Sequence, residues 1–161
     1  MARRDRRESL LLDVFDRSFR GRAWHGTPLW GALRGVRVAE ALWRPPHGRG
    51  RHCIWELVLH VAYWKCMVRR RLLRDAAIAF PREGSDWPDL PRPANAAAWK
   101  RDLALLKREH LLLRRAIIRL GPAALDRRLG RWTAIQNAYG VATHDLYHTG
   151  QIQLLRRLYR R

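Results

Sequence analysis

Two histidines near the end of the chain have the spacing of a metal-binding pair. His144 and His148 are four residues apart, so in a helix their imidazoles project from one face about one turn apart. Two neutral imidazoles in this arrangement form half of a divalent-metal site. Chance is the competing explanation, because any chain with seven histidines can contain one such pair.

The segment around this pair is almost free of charge. Asp145 is the one formally charged side chain in residues 132–155 of a chain in which 29% of residues are charged. This gap predicts a helix enclosed on most sides by the rest of the protein and by a second subunit. Enclosing two imidazoles without partners is costly, which favours a ligand role. The opposite face, which includes Ala138 and Ala142, is typical of helix packing or a dimer surface.

His60 is the leading candidate for a third ligand. It lies on the predicted inward stripe of another helix, with Leu57, Val61 and Trp64 as neighbours. A single histidine on an apolar face is more often a packed core residue than a ligand. Joined to the pair, His60 completes a three-histidine set with an open position, which is typical of catalytic metal sites. Three ordinary core histidines without metal remain the alternative.

Three other side chains are candidates for catalysis. Gln151 follows His148 by three residues and can bond a metal-bound water or a substrate, or make a helix–helix contact. Tyr147 can donate to a developing oxyanion, or pack in the core. Glu56, one turn before His60, can orient that histidine or act as a base, or lie exposed at the helix start. Asp145 points away from the histidine face, where it can accept a hydrogen bond from another imidazole or form a salt bridge to an arginine, which is the favoured interpretation.

The remaining histidines include two pocket candidates, and Trp64 is a third candidate. The heptad position of His110 places it inside the bundle, as a fourth ligand or an acid/base. His25 either lines the pocket mouth or caps a loop. His47 and His52 are predicted at the surface, and His52 can also cap the second long helix.

The apolar periodicity predicts an all-α four-helix bundle in a single domain spanning residues 1–161. The expected long helices cover residues 6–19, 54–77, 95–120 and 132–159. Asn95 is the predicted cap of the third of these helices. Thr27 and Pro28 begin a shorter helical stretch that extends through residue 36. Loops are expected at residues 44–50 and 80–93, where proline and glycine are frequent.

The net charge of +19 invites a polyanion partner, because 33 Lys and Arg oppose 14 Asp and Glu. Only Lys65, Lys100 and Lys107 are lysines, and the arginines are dispersed along the chain. This pattern is typical of codon bias in a GC-rich genome. No nucleic-acid-binding motif accompanies it, so specific nucleic-acid recognition is not expected.

The sequence also favours a cytoplasmic protein. It has no run of 18 apolar residues, so no membrane-spanning helix is expected, and its N-terminus lacks the pattern of a signal peptide. Cys53 and Cys66 lie in one predicted helix about 20 Å apart, too far for a disulfide. A reducing compartment is the expected location.

Two strings, HCIWELVLHVAYWK at residues 52–65 and THDLYHTGQIQLLRRL at residues 143–158, resemble the DinB/YfiT-like family of metalloenzymes. AWHGTPLWGALRGV at residues 23–36 and a G-x-x-W-P string before the third long helix add to the likeness. The resemblance implies a four-helix bundle, often a homodimer. It also implies nickel or zinc bound by His60, His144 and His148.

The resemblance further implies a metal-dependent hydrolase, or a transferase that uses a low-molecular-weight thiol such as bacillithiol or mycothiol. The metal would then act as a Lewis acid that activates water or the thiol for attack on an electrophilic substrate. The alternative is a basic, non-enzymatic helical dimer that binds nucleic acid or a protein partner and carries a structural metal.

Overall fold

The computed structural model describes residues 5–46 and 50–161. Its helices are α1 (Arg6–Phe19), α2 (Leu29–Ala32), α3 (Val38–Leu42), α4 (Ile54–Leu73), α5 (Ala96–Leu120) and α6 (Ala134–Tyr159). A 3₁₀ turn (Pro122–Ala124) and a small antiparallel hairpin of β1 (Arg128–Leu129) and β2 (Trp132–Thr133) connect α5 to α6. His47, a predicted surface residue, lies outside the described residues.

The four long helices α1, α4, α5 and α6 form a bundle. Helix α4 packs against both α5 and α6, and α1 packs against α6. The apolar core between them has two clusters, one around Trp55 and Trp99 and the other around Phe15 and Leu113. The predicted all-α fold is therefore confirmed. None of the helices in the described ranges is long and apolar enough to cross a membrane.

Side-chain caps fix the starts of two long helices. The Asn95 side chain accepts a hydrogen bond from the Ala98 backbone N–H at 2.9 Å, which confirms the predicted cap of α5. At the start of α6, Thr133 and Gln136 exchange side-chain and backbone hydrogen bonds in a capping box. Helix α6 begins two residues later than predicted, because Trp132 and Thr133 pair with β1.

Two helix boundaries differ from the sequence prediction. Helix α4 ends at Leu73 and not at residue 77, because Arg74 adopts a left-handed conformation with φ of 52° and the Asp75 N–H bonds back to the Arg70 carbonyl. The helical stretch predicted for residues 28–36 is shorter than expected. Gly35, with φ of 74°, lies in the turn that follows α2, and the chain resumes as α3, which the periodicity did not predict.

Helix α6 is less enclosed than its low charge predicts. Its inward face, including Ala138, Ala142 and Ile152, is buried against the bundle within one chain. The outward face remains uncharged but open, with Tyr147 65% exposed and Leu154 57% exposed. The face with Ala138 and Ala142 is thus a packing surface of the bundle, and a dimer surface would have to be the outward one.

A fully buried ion pair joins α4 to α6. The Lys65 Nζ atom donates to the Asp145 carboxylate at 2.6 Å, and both side chains are 0% exposed. Burial lowers the pKa of Lys65 and raises the pKa of Asp145, and their mutual attraction opposes both changes. The arginine partner predicted for Asp145 is wrong. The Lys65 ammonium also lies 5.1 Å and 5.3 Å from the ring centres of Phe15 and Phe19.

We expect Lys65→Met to lower the free energy of unfolding by about 3–5 kcal/mol, because it leaves the Asp145 carboxylate buried without a partner. The double variant Lys65→Met/Asp145→Leu should recover most of this loss. Urea denaturation measures both effects. Arg17→Met, which breaks a half-exposed pair with Asp13, is the control and should cost less than about 1 kcal/mol. A Lys65 variant as stable as this control would contradict the expectation.

Candidate metal centre

Three imidazoles meet where α4 and α6 face each other. His60 belongs to α4, and His144 and His148 lie one turn apart on α6. The Nε2 atom of His144 is 3.0 Å from the Nε2 atom of His60 and 3.0 Å from that of His148. One ligand nitrogen from each residue lies within 4.8 Å of the other two. The structure thus brings together the three histidines that the sequence predicts as metal ligands.

Hydrogen bonds determine which nitrogen carries the proton on two of these rings. The Nδ1 atom of His60 is 2.7 Å from the Asp86 carbonyl oxygen, and the Nδ1 atom of His148 is 2.6 Å from the Gln151 side-chain oxygen. Both partners are acceptors, so each Nδ1 donates and each neutral ring has a bare lone pair on Nε2. The Nε2 atom of His144 can donate a hydrogen bond to only one of these two lone pairs. A cation among the three Nε2 atoms would remove the remaining lone-pair repulsion.

The donor set also fits a divalent metal. Imidazole nitrogens bind zinc at about 2.0–2.1 Å, which places the nitrogens of a tetrahedral set about 3.3 Å apart, close to the 3.0 Å contacts here. Metal-bound histidines usually donate their second N–H to an oxygen, as His60 and His148 do. The buried Nδ1 atom of His144 has no hydrogen-bond partner in the described part of the chain.

All three imidazoles are held in the neutral form that a metal requires. Burial lowers the pKa of His144 to about 3 and, less strongly, that of His148 to about 4. Burial also lowers the pKa of His60, against the opposing effect of Asp86. Protons therefore compete weakly for these nitrogens at neutral pH.

The loop between α4 and α5 holds the His60 ring from two sides. The Asp86 carbonyl accepts from His60, while the Asp86 carboxylate accepts from the Trp64 indole N–H at 2.6 Å. The Trp87 ring stacks between His60 and His52, with ring centres 3.9 Å and 3.4 Å apart. Asp86 has a φ of 61°, a left-handed conformation that aspartate tolerates better than most residues.

Sequence reasoning predicted a loop here but no role for Asp86 or Trp87. The signal that could have found them is the G-x-x-W-P string that contains both residues. Its glycine, Gly84, has a φ of +84°, and a Cβ atom there would lie 3.3 Å from the Pro88 backbone. A side chain at residue 84 would therefore disturb the turn that places Asp86 and Trp87 against His60.

Two clefts open onto the three histidines from different sides. The first cleft, of about 490 Å³, lies between α4 and α6. Its wall includes His60, Trp64, Arg71, Trp132, Tyr139 and His144. The second cleft, of about 450 Å³, has His148 in its wall together with Arg51, His52, Trp87, Tyr147 and Gln151. Two separate molecules can thus approach the same cluster.

The three catalytic candidates have different surroundings. Gln151 bonds His148, so it positions this ring, and it also lines the second cleft. Tyr147 lies edge-on to His148 with ring centres 5.0 Å apart. Glu56 does not serve His60: its carboxylate pairs with Arg44 at 2.6 Å and 2.7 Å and caps the Cys53 N–H at 2.8 Å. The base or orienting role predicted for Glu56 is therefore corrected to a helix cap.

Of the three pocket candidates, Trp64 lines the first cleft, and the two histidines lie elsewhere. His25 is exposed and belongs to neither cleft. His110 is buried and stacks on Phe15 and Phe19, with ring centres 4.5 Å and 3.8 Å apart. Burial, with the nearby charges of Lys65 and Arg114, lowers the pKa of His110 to about 2.

His110 should make the fold less stable in acid. The unfolded chain binds a proton at this histidine near pH 6.5, whereas the folded chain does so only near pH 2, so stability falls as the pH drops through this window. The contribution is about 1.4 kcal/mol per pH unit.

We expect His110→Leu to reduce the slope of the unfolding free energy against pH by about 1.4 kcal/mol per pH unit between pH 6 and pH 3. Urea denaturation of metal-free protein at several pH values measures the slope. The matched control is His25→Leu, which makes the same replacement at an exposed histidine. Parallel slopes for wild type and His110→Leu would show that the expectation is wrong.

A model of the DinB superfamily matches residues 23–152 of the chain. This match includes all three clustered histidines and the loop that holds His60. No curated protein and no solved structure matched the chain. Since the family model covers most of the sequence and the bundle has the expected all-α fold, the chain belongs to the DinB superfamily.

Proposed function

We propose that this chain is a metal-dependent enzyme in which His60, His144 and His148 hold one divalent ion, nickel or zinc. The supporting observation is the convergence of three Nε2 atoms of which two have bare lone pairs. The bound metal would supply a Lewis acid that lowers the pKa of water or of a low-molecular-weight thiol. The reaction would be hydrolysis or thiol transfer to an electrophilic substrate.

The protein's own residues would position the reactants and exclude water. Trp87 covers one side of His60 by stacking on it, and Gln151 holds the orientation of His148. The two clefts meet at the histidines from different sides, which suits one site for the electrophile and another for a thiol. Both cysteines are free and buried. Free cysteines support a reducing compartment such as the cytoplasm. Because both thiols are buried, the reacting thiol would be a separate small molecule.

Purified protein should contain close to one divalent metal ion per chain when measured by inductively coupled plasma mass spectrometry. His144→Ala should remove at least nine-tenths of this metal, because it removes the nitrogen that contacts both other imidazoles. His25→Ala, which alters an exposed histidine, should retain the wild-type content.

Metal-loaded protein should then turn over electrophilic probes with water or an added thiol, and His144→Ala should not. Protein that contains no metal after growth with nickel and zinc, or a His144 variant with unchanged metal, would contradict the proposal. Protein without metal would favour three ordinary core histidines, whereas metal-loaded protein without turnover would favour the non-enzymatic helical dimer.

We also propose that the chain forms a homodimer through the outward face of α6. Tyr139, Tyr147, Leu154 and Leu158 are all exposed on this helix. Their spacing of eight, seven and four residues places them along one side. Apart from Arg157 near its end, this side carries no charge, which in a chain with 33 basic residues is typical of a surface that another subunit covers.

Leu154→Glu should convert the dimer to a monomer, because it places a charge in the centre of this face. Light scattering after size-exclusion chromatography measures the mass at tens of micromolar protein. Leu111→Glu on α5 is the matched control, since Leu111 is 45% exposed and lies on a different helix. A monomeric wild type, or a dimer that survives the Leu154 change, would overturn this proposal.

A further inference from the structure

We infer that the first cleft binds an organic anion with a flat apolar body, and that Arg71 holds its anionic group. The inference rests on the proposed function, because it assigns a substrate class to the cleft that opens onto the histidines. Three observations support the inference: the composition of the cleft wall, the charge of that wall, and four residues that share one face of α4.

The wall of the cleft is mostly apolar and aromatic. Trp64, Trp132 and Tyr139 present rings to it, and Val68 and Val141 add further apolar surface beside two side-chain amides, Gln136 and Asn137. Aromatic walls of this kind favour flat apolar ligands through stacking and through the area removed from water. The body of the ligand is therefore expected to be a ring system or an unsaturated chain.

The charge of the wall has one sign. Among the described residues that line the cleft, Arg71 is the one with a formal charge, and none carries a carboxylate. The Arg71 guanidinium carbon lies 5.6 Å from the centre of the Trp64 ring. Within residues 5–46 and 50–161, no carboxylate lies within 4 Å of this guanidinium. A carboxylate from a ligand can therefore take this place as a charge-assisted partner.

Two other arginines of the bundle, one on α4 and one on α5, are paired with carboxylates. Arg69 bonds Glu109 at 2.9 Å, and Arg114 bonds Asp16 at 2.7 Å. These pairs join helices within the bundle. The Arg71 guanidinium instead lies over the Trp64 ring, and a cation–π contact of this kind leaves its N–H groups available to a carboxylate.

The position of Arg71 sets where the anionic end would lie. His60, Trp64, Val68 and Arg71 follow one another by four, four and three residues, so they share a face of α4. Their first and last Cα atoms are about 16 Å apart along the helix. The arginine side chain leans back toward the start of the helix. The anionic group would thus be held beside Trp64, over which the Arg71 guanidinium lies, with the body of the ligand extending along the apolar wall of the cleft.

The test compares the binding of 2-naphthoate with that of its neutral analogue 2-naphthamide, by isothermal titration calorimetry at low salt. Metal-free protein is used first, so that the carboxylate cannot bind a metal instead. Wild type should prefer naphthoate by about fivefold, the value expected for a partly exposed ion pair. Arg71→Gln should abolish this preference.

Arg70→Gln is the matched control. Arg70 is the neighbouring residue on the same turn of α4, is exposed and does not line the first cleft. Its replacement removes the same charge and should leave the preference intact. Arg71→Lys keeps the positive charge but lacks the planar guanidinium, so it should retain only part of the preference for naphthoate.

The inference is overturned if wild type binds neither probe below millimolar concentration, if it shows no preference, or if Arg71→Gln and Arg70→Gln behave alike. Metal content measured on each preparation before the metal is removed separates this outcome from failure of the proposed function. Protein that binds metal but shows no naphthoate preference contradicts the inference alone. Protein that shows the preference but binds no metal contradicts the proposed function alone.

Discussion

The buried ion pair between Lys65 and Asp145 is the constraint on which the arrangement of α4 and α6 depends. Both groups are fully enclosed, and separating them inside the bundle would leave two charges without compensation, at a cost of several kcal/mol. Any sliding of one helix along the other is therefore penalised. Asp145 directly follows His144, and Lys65 lies five residues after His60. The pair that fixes these helices thus also fixes the distance between histidines on opposite sides of the site.

The histidine cluster differs from this ion pair, because its buried groups are neutral and not charged. At Lys65 and Asp145 the bundle encloses two charges that neutralise each other, whereas at the cluster it encloses three groups that burial keeps neutral. Backbone and amide oxygens then orient the rings so that bare nitrogens face one another. A divalent cation would supply the charge that this arrangement lacks. The site is therefore prepared for a metal by burial and by hydrogen bonding together.

Local sequence signals predicted much of this structure. The heptad pattern and the Asn95 cap predicted long helices, and the four-residue spacing of His144 and His148 placed two imidazoles on one face. The parts that could not be predicted depend on contacts between distant segments. Trp87 stacks on His60 only because the loop folds back over α4, and the partner of Asp145 could be identified only once α4 and α6 were in contact. The ion pair of Glu56 likewise forms only because Arg44 reaches it across a loop.

X-ray absorption spectroscopy at the metal edge of the purified protein tests the central claim most directly. For zinc-loaded wild type, the three-histidine site predicts three imidazole nitrogens at about 2.0–2.1 Å. The multiple-scattering pattern of rigid imidazole rings should accompany them, and no sulfur should be found among the ligands. A spectrum with sulfur at about 2.3 Å, or with light-atom ligands that lack the imidazole pattern, would contradict a metal centre built from His60, His144 and His148.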